Sequence, residues 1–150
     1  LVARVEKRTL FSVTEEAADR VTLAATFPFE NSGAQCATIV DCVARPQLPY
    51  EQYDGIEVWG KIERADTPRE DDYFEATLVD SQEVVPVRIV VRLTARHGME
   101  IRTALTHMVD LPIDILYTQL GRRPWALHKA RTVLTAEEIA AAVGVELTDD

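Results

Sequence analysis

Three histidines, two cysteines and three serines are the residues from which a catalytic or metal site in this chain would have to be assembled. His97, His107 and His128 are widely spaced, and their spacing fits no zinc pattern, which needs three or four converging ligands. His97 falls in an expected turn, and His107 falls on the apolar side of an expected strand. Ser12, Ser32 and Ser81 lie in no G-x-S-x-G turn that would expose a nucleophile. Cys36 and Cys42 sit in one expected strand, ~20 Å apart at strand rise, too far for a mutual disulfide. They form no C-x-x-C pair and read as two small buried residues. The glycines are scattered, so no phosphate-cradling loop exists. Asp110 and Asp114 share a strand face but stand ~13 Å apart, so a cation would need further ligands such as Asp80. The expectation is therefore no catalytic residue, no metal and no cofactor.

Two charged features stand out more. Arg88, Arg92 and Arg96 recur every fourth residue, ~13 Å apart on one face of a strand, and Arg102, Arg122, Arg123 and Arg131 can join them. A basic sheet face with Trp59 or Trp125 beside it could hold single-stranded nucleic acid by phosphate contacts and base stacking. The competing use is bidentate pairing with carboxylates, within the chain or between copies, for which guanidinium is well shaped. That use is the stronger expectation, because the average field of an acidic protein repels polyanions. Glu70, Asp71 and Asp72 form an acidic loop without EF-hand spacing, suited to a basic partner or to solvent. Trp59, on the polar side of its strand, is a candidate interface residue.

The chain has 150 residues and a formal net charge of -9. Residues 50–80 carry -7 and residues 132–150 carry -5, whereas residues 81–131 carry +4. Such blocks could meet across a self-associating interface or lie side by side in the fold. The 16 bases are 13 Arg and only three Lys, Lys7, Lys61 and Lys129, against 25 acids. That balance resembles the proteins of salt-loving archaea, in which dense surface charge keeps a protein soluble once salt screens it. GC-rich codon use is the plainer explanation. No apolar run approaches the ~18 residues of a membrane span, and no signal peptide is present. The chain begins at Leu1 rather than Met, which leaves room for an upstream leader or anchor.

The elements that position these residues are mainly strands. In 84–96 Val85, Val87, Ile89, Val91, Leu93 and Ala95 alternate with the Arg stripe, the period of a half-buried strand. The same period runs through 21–29, and through 56–64, where Ile56, Val58 and Ile62 oppose Glu57, Trp59, Lys61 and Glu63. Odd positions from Ile101 to Tyr117 are mostly apolar, with Pro112 marking an edge strand or a break. Weaker strands are expected at 1–13, 35–45, 73–79 and 124–133, and 36–44 is apolar on both faces, as a strand covered on both sides would be. Asn31-Ser32-Gly33 predicts a hairpin between 21–29 and 35–45. One helix is expected over about 136–143, opened by a Thr135/Glu138 capping box and closed by Gly144, with a short tail after it.

About eight strands and one late helix predict a single all-β domain over 1–150, an antiparallel immunoglobulin-like or jelly-roll β-sandwich. The stretches VTLAATFPFENSGAQCATIVDCVARPQLP (21–49) and LVDSQEVVPVRIVVRL (78–93) resemble the hairpins of prokaryotic immunoglobulin-like domains. These include adhesion-type modules and the water-stress and hypersensitive-response domain. The resemblance covers residues 21–96; the sandwich pattern and the missing catalytic motifs predict a non-enzymatic structural or protein-interaction domain. With the charge map they predict assembly through complementary surfaces, with itself or another protein, in a salt-adapted prokaryote or its virus. A virion or cell-surface building block is one alternative, and single-stranded nucleic-acid binding through the Arg face another. The expected places are the cell surface, a virion or the cytoplasm of a high-salt organism.

Overall fold

Alternating burial along the strands divides them between two antiparallel sheets, whose inner faces share one apolar core. The computed structural model describes residues 1–47, 55–66, 74, 76–120 and 126–148. Strands β1 (Val2–Ala3), β2 (Ser12–Glu16), β3 (Arg20–Glu30), β5 (Ile56–Arg64) and β7 (Val84–Ala95) form sheet A. Its order is β1-β3-β7-β5, with β2 also on the β1 side of β3. Strands β4 (Ala37–Pro46), β6 (Thr77–Val79), β8 (Leu111–Leu120) and β9 (Ala126–Leu134) form sheet B, in the order β6-β4-β8-β9. Helices α1 (Ile101–Leu105) and α2 (Ala136–Val143) complete the fold.

This order decides between the two sandwich types. With β1/β2 as the first strand, sheet A has the first-second-fifth-fourth arrangement of a constant-type immunoglobulin sheet. The β4-β8-β9 part of sheet B is the matching third-sixth-seventh sheet. The short β6 is an addition on its edge. Antibody domains join the second and sixth strands by a disulfide. Here Cys36 and Cys42 are both free, and the equivalent strands are joined by rings. Phe29 on β3 meets Tyr117 on β8 edge to face, with centroids 5.0 Å apart.

β7 keeps the register expected from its period. Val85, Val87, Ile89, Val91, Leu93 and Ala95 are buried, and Val21, Leu23, Ala25, Phe27 and Phe29 of β3 join them. Each fully buried side chain of this kind contributes roughly 1.5–3 kcal/mol. At the edge, Gly60 of β5 lies against Pro46 of β4. An added Cβ would stand 2.9 Å from the Pro46 ring, so glycine is what lets the sheets close there.

Several expectations are corrected. The segment from Ile101 is not a strand until Leu111. Ile101, Leu105 and Met108 are buried at helical spacing; α1 supplies the first two to the core and the turn after it supplies Met108. His107 then follows α1 on the exposed side. Pro112 is the second residue of β8, an interior strand, and its carbonyl accepts from Gln47 N. Residues 1–13 are not one strand, because a 3-10 turn at Val5–Lys7 interrupts them. Cys36 is exposed and only Cys42 is buried. The apolar look of 36–44 comes from a bulge between Ile39 and Asp41. It moves the inward set from Ala37 and Ile39 to Cys42 and Ala44, so apolar residues fall on both parities.

Neither expected hairpin forms. β3 and β4 lie in different sheets, as do β6 and β7. The two crossovers instead lock together. Asn31 Nδ2 donates to Gln35 O (2.8 Å) and Val79 O (3.0 Å), and Asn31 Oδ1 accepts from Gly33 N. Gln82 N donates to Asn31 O, and Asn31 N donates to Glu83 O. Ser81 Oγ and Gln82 Nε2 reach back to carbonyls of Gly33 and Ser32.

The helix is where the capping signal put it. Thr135 accepts from Glu138 N, and Gly144 ends the helix at φ 85°. The box is only half formed, because the Glu138 carboxylate turns to Arg8 and Phe11 instead. The tail is anchored, with Thr148 N donating to Thr106 O. Among the described residues no helix is long and apolar enough to cross a membrane.

Candidate interaction surfaces

The outer face of sheet A carries the Arg stripe. β7 places Arg88 and Arg92 between β3 and β5, with Arg88 opposite Glu63 and Arg92 opposite Trp59. Both have internal partners. The Arg92 guanidinium lies 5.0 Å from the centre of the Trp59 ring and its Nε is 3.4 Å from Thr22 Oγ1. Arg88 approaches Glu63 at 3.7 Å, and Lys61 pairs with the same carboxylate at 3.2 Å. Thr22, Ala24, Val90 and Glu63 on this outward side are all buried. A shallow hollow of about 320 Å³ beside Arg88 is lined by Thr9, Ser12, Thr14, Ala24 and Thr26.

The remaining expected residues do not gather there. Arg96 lies just past the end of β7. Arg102 is on α1 and pairs with Glu16 at 2.8 Å. Arg131 is on β9, in the other sheet. Arg122, Arg123, Trp125, Glu70, Asp71 and Asp72 lie outside the described residues. The acidic and basic blocks of sequence meet within one chain, since β5 runs beside β7.

The outer face of sheet B differs at its two ends. At one end register sets Leu78, Thr38 and Leu120 side by side across β6, β4 and β8. Leu127 of β9 lies diagonally beyond, paired with Thr118. Leu78 is 53%, Leu120 40% and Leu127 65% exposed. Toward the other end Arg45, Asp114 and Arg131 form a row. Arg131 donates to both Asp114 oxygens, at 2.7 and 3.2 Å, and Lys129 stands 3.6 Å away. The Arg131 guanidinium holds the Asp114 carboxyl below the usual carboxylate range. Asp110, expected beside it, instead accepts from Ala136 N at the start of α2.

A third cluster went unnoticed in the sequence because its members are 130 residues apart. Arg8 donates to both Glu138 oxygens at 2.8 Å, to Thr132 Oγ1 and to Val133 O, and lies over the Phe11 ring. Burial alone would raise the Glu138 carboxyl, but Arg8 and the Phe11 N–H outweigh it and leave it below the usual range. This cluster ties the N-terminal segment to β9 and α2.

None of these groups forms a reactive constellation. His97 sits in a turn at φ 60°, His107 Nδ1 is 3.0 Å from Thr148 Oγ1, and His128 stacks on Tyr117. Burial pushes the Cys42 thiol far up, which makes it a poor nucleophile. Among the described residues no three His, Cys, Asp or Glu side chains converge as metal ligands would.

No protein-family model matches the chain, and no curated protein matches it. Solved structures give loose likenesses. The yeast GGA1 GAE domain is 10% identical over 83% of this chain and 87% of that chain, with a TM-score of 0.42. A protein from Archaeoglobus fulgidus is 10% identical over 89% and 97%, with a TM-score of 0.41. A FixG-related protein from Vibrio parahaemolyticus is 11% identical over 87% and 97%, with a TM-score of 0.38. The architecture of this chain rests on its own strand order.

Proposed function

We propose that the chain is a single, non-enzymatic protein-interaction domain that docks a segment of another protein on the outer face of sheet B. The observation that carries this reading is the set of exposed leucines, Leu78 on β6, Leu120 on β8 and Leu127 on β9, with Thr38 of β4 between the first two, on a face that ends in Lys129 and Arg131. Apolar side chains gathered on one face favour a partner, because water contact is what binding would remove. The basic end gives the partner a direction and an acidic character.

Photo-crosslinking in the native cell from position 38 or 118, which lie opposite Leu120 and Leu127 on this face, tests this. The expected result is one recurrent partner that disappears for the Leu120→Asp/Leu127→Asp pair. Recovery of the same partner by that variant would remove the leucine face from the reading.

Self-association through the Arg88 and Arg92 face is a second reading, favoured by the segregated charge. It is weakened because both guanidinium groups have partners inside the chain. The same engagement, with a net charge of -9, weakens single-stranded nucleic-acid binding. Sedimentation at low and at molar salt decides, since self-association would show a dimer or array that changes with salt. The composition supports adding a salt-adapted host, with a virion or cell-surface role as one form of the assembly.

A further inference from the structure

The edge of sheet B adds something that its face does not. β9 pairs with β8 on one side, and no described strand pairs with the other. The orientation of its backbone is fixed by two contacts. Val133 O accepts from Arg8, and Pro112, opposite Val133, turns its own carbonyl to Gln47 on β4. Val133 therefore points its backbone groups off the sheet. Alternate residues of an antiparallel strand share that direction, so Leu127, Lys129 and Arg131 aim their N–H and C=O groups away from β8, on an edge that the Val5–Lys7 turn and Arg8 also approach but that no described strand pairs. Their side chains are exposed as well.

Resting on the interaction reading above, we propose that this edge receives an extended acidic segment of another protein as a fifth strand of sheet B. Backbone pairing would supply the attachment and alternate side chains the selectivity. Arg45, Lys129 and Arg131 surround a single carboxylate, Asp114, so this corner of an acidic protein is locally basic. Acidic residues are selected opposite Lys129 and Arg131, and an aliphatic residue opposite Leu127. A second copy of β9 is a poor occupant. Two-fold pairing about 128, 129 or 130 sets a Lys or Arg against another, or Leu127 against a charged side chain, and like charges directly opposite are unfavourable. Basic side chains can also serve to keep edges unpaired. A guarded edge, however, has no use for a leucine as exposed as Leu127.

The test uses the full chain and the end-capped peptide Glu-Thr-Glu-Thr-Val-Thr-Val. Amide exchange is followed residue by residue by NMR. In the free protein the Leu127, Lys129 and Arg131 amides exchange quickly, and saturating peptide slows them at least tenfold. Lys129→Glu weakens binding at least tenfold, and so does replacing the glutamates with lysine. A peptide N-methylated at alternate residues fails to bind. Equal binding by the N-methylated peptide, unprotected amides, or no binding at low salt would each overturn the edge proposal. The interaction reading fails separately, through the crosslinking result for the Leu120→Asp/Leu127→Asp pair.

Discussion

The outer faces of the two sheets use their side chains in opposite ways. Sheet A presents residues that look functional in a sequence, Arg88, Arg92 and Trp59. The structure shows these engaged with one another, with Glu63 only 4% exposed among them. Sheet B presents ordinary leucines, and these are open to water. Residue type therefore points to one face and accessibility to the other. A charged side chain held down within its face, as Lys61 and Arg88 are, has less to offer a ligand than one left half exposed, as Lys129 and Arg131 are, and an exposed apolar one gains by being covered.

This contrast predicts losses of stability on one side of the molecule and losses of binding on the other. The largest stability loss belongs to the enclosed pair outside both faces. Glu138→Ala strands Arg8, and each side chain of the pair is only 12% exposed, so the cost is about 3 kcal/mol by urea unfolding. Glu138 also sets a pH dependence. Its folded carboxyl lies below the ordinary value, so its contribution is complete above about pH 4.3 and is lost as pH falls through the folded value. Glu138→Gln flattens that acid limb of the stability curve, and an unchanged limb would show that the pair is not the source.

Next comes sheet A. Glu63→Ala removes the carboxylate that Lys61 and Arg88 share and costs about 2 kcal/mol. A cost below about 0.5 kcal/mol would break the comparison, because that face would then be as loosely held as an ordinary surface. Smallest of all is the effect on sheet B. Leu120→Asp and Leu127→Asp each change stability by no more than about 0.5 kcal/mol, measured in the same urea series. A larger loss would mean that these leucines support the fold.

Much of the fold was legible in the sequence because β7 and β3 are strictly periodic and the Thr135–Gly144 helix carries its own caps. What stayed hidden has physical causes. Ile101 and Leu105 satisfy both an odd-position count and a helical spacing, so α1 passed for a strand. The bulge at Ile39/Asp41 reverses parity within β4, and no local residue pattern announces it. Asn31-Ser32-Gly33 specifies a turn but not whether the next strand returns to the same sheet. The site was less legible than the fold. The sequence places Arg88 and Arg92 on a shared face but cannot say that Trp59 and Glu63 hold them there. Leu78, Leu120 and Leu127 join only through the register of four strands.

The corner around Asn31 bears on the order of folding. Its amide reaches Val79, 48 residues away, and its backbone is held by Glu83 and Gln82. None of these bonds can form until both crossovers have been laid down, and each requires closure of a long loop first. Loop closure places the corner late in assembly, so Asn31→Ala is expected to speed unfolding more than it slows folding, as stopped-flow kinetics would show.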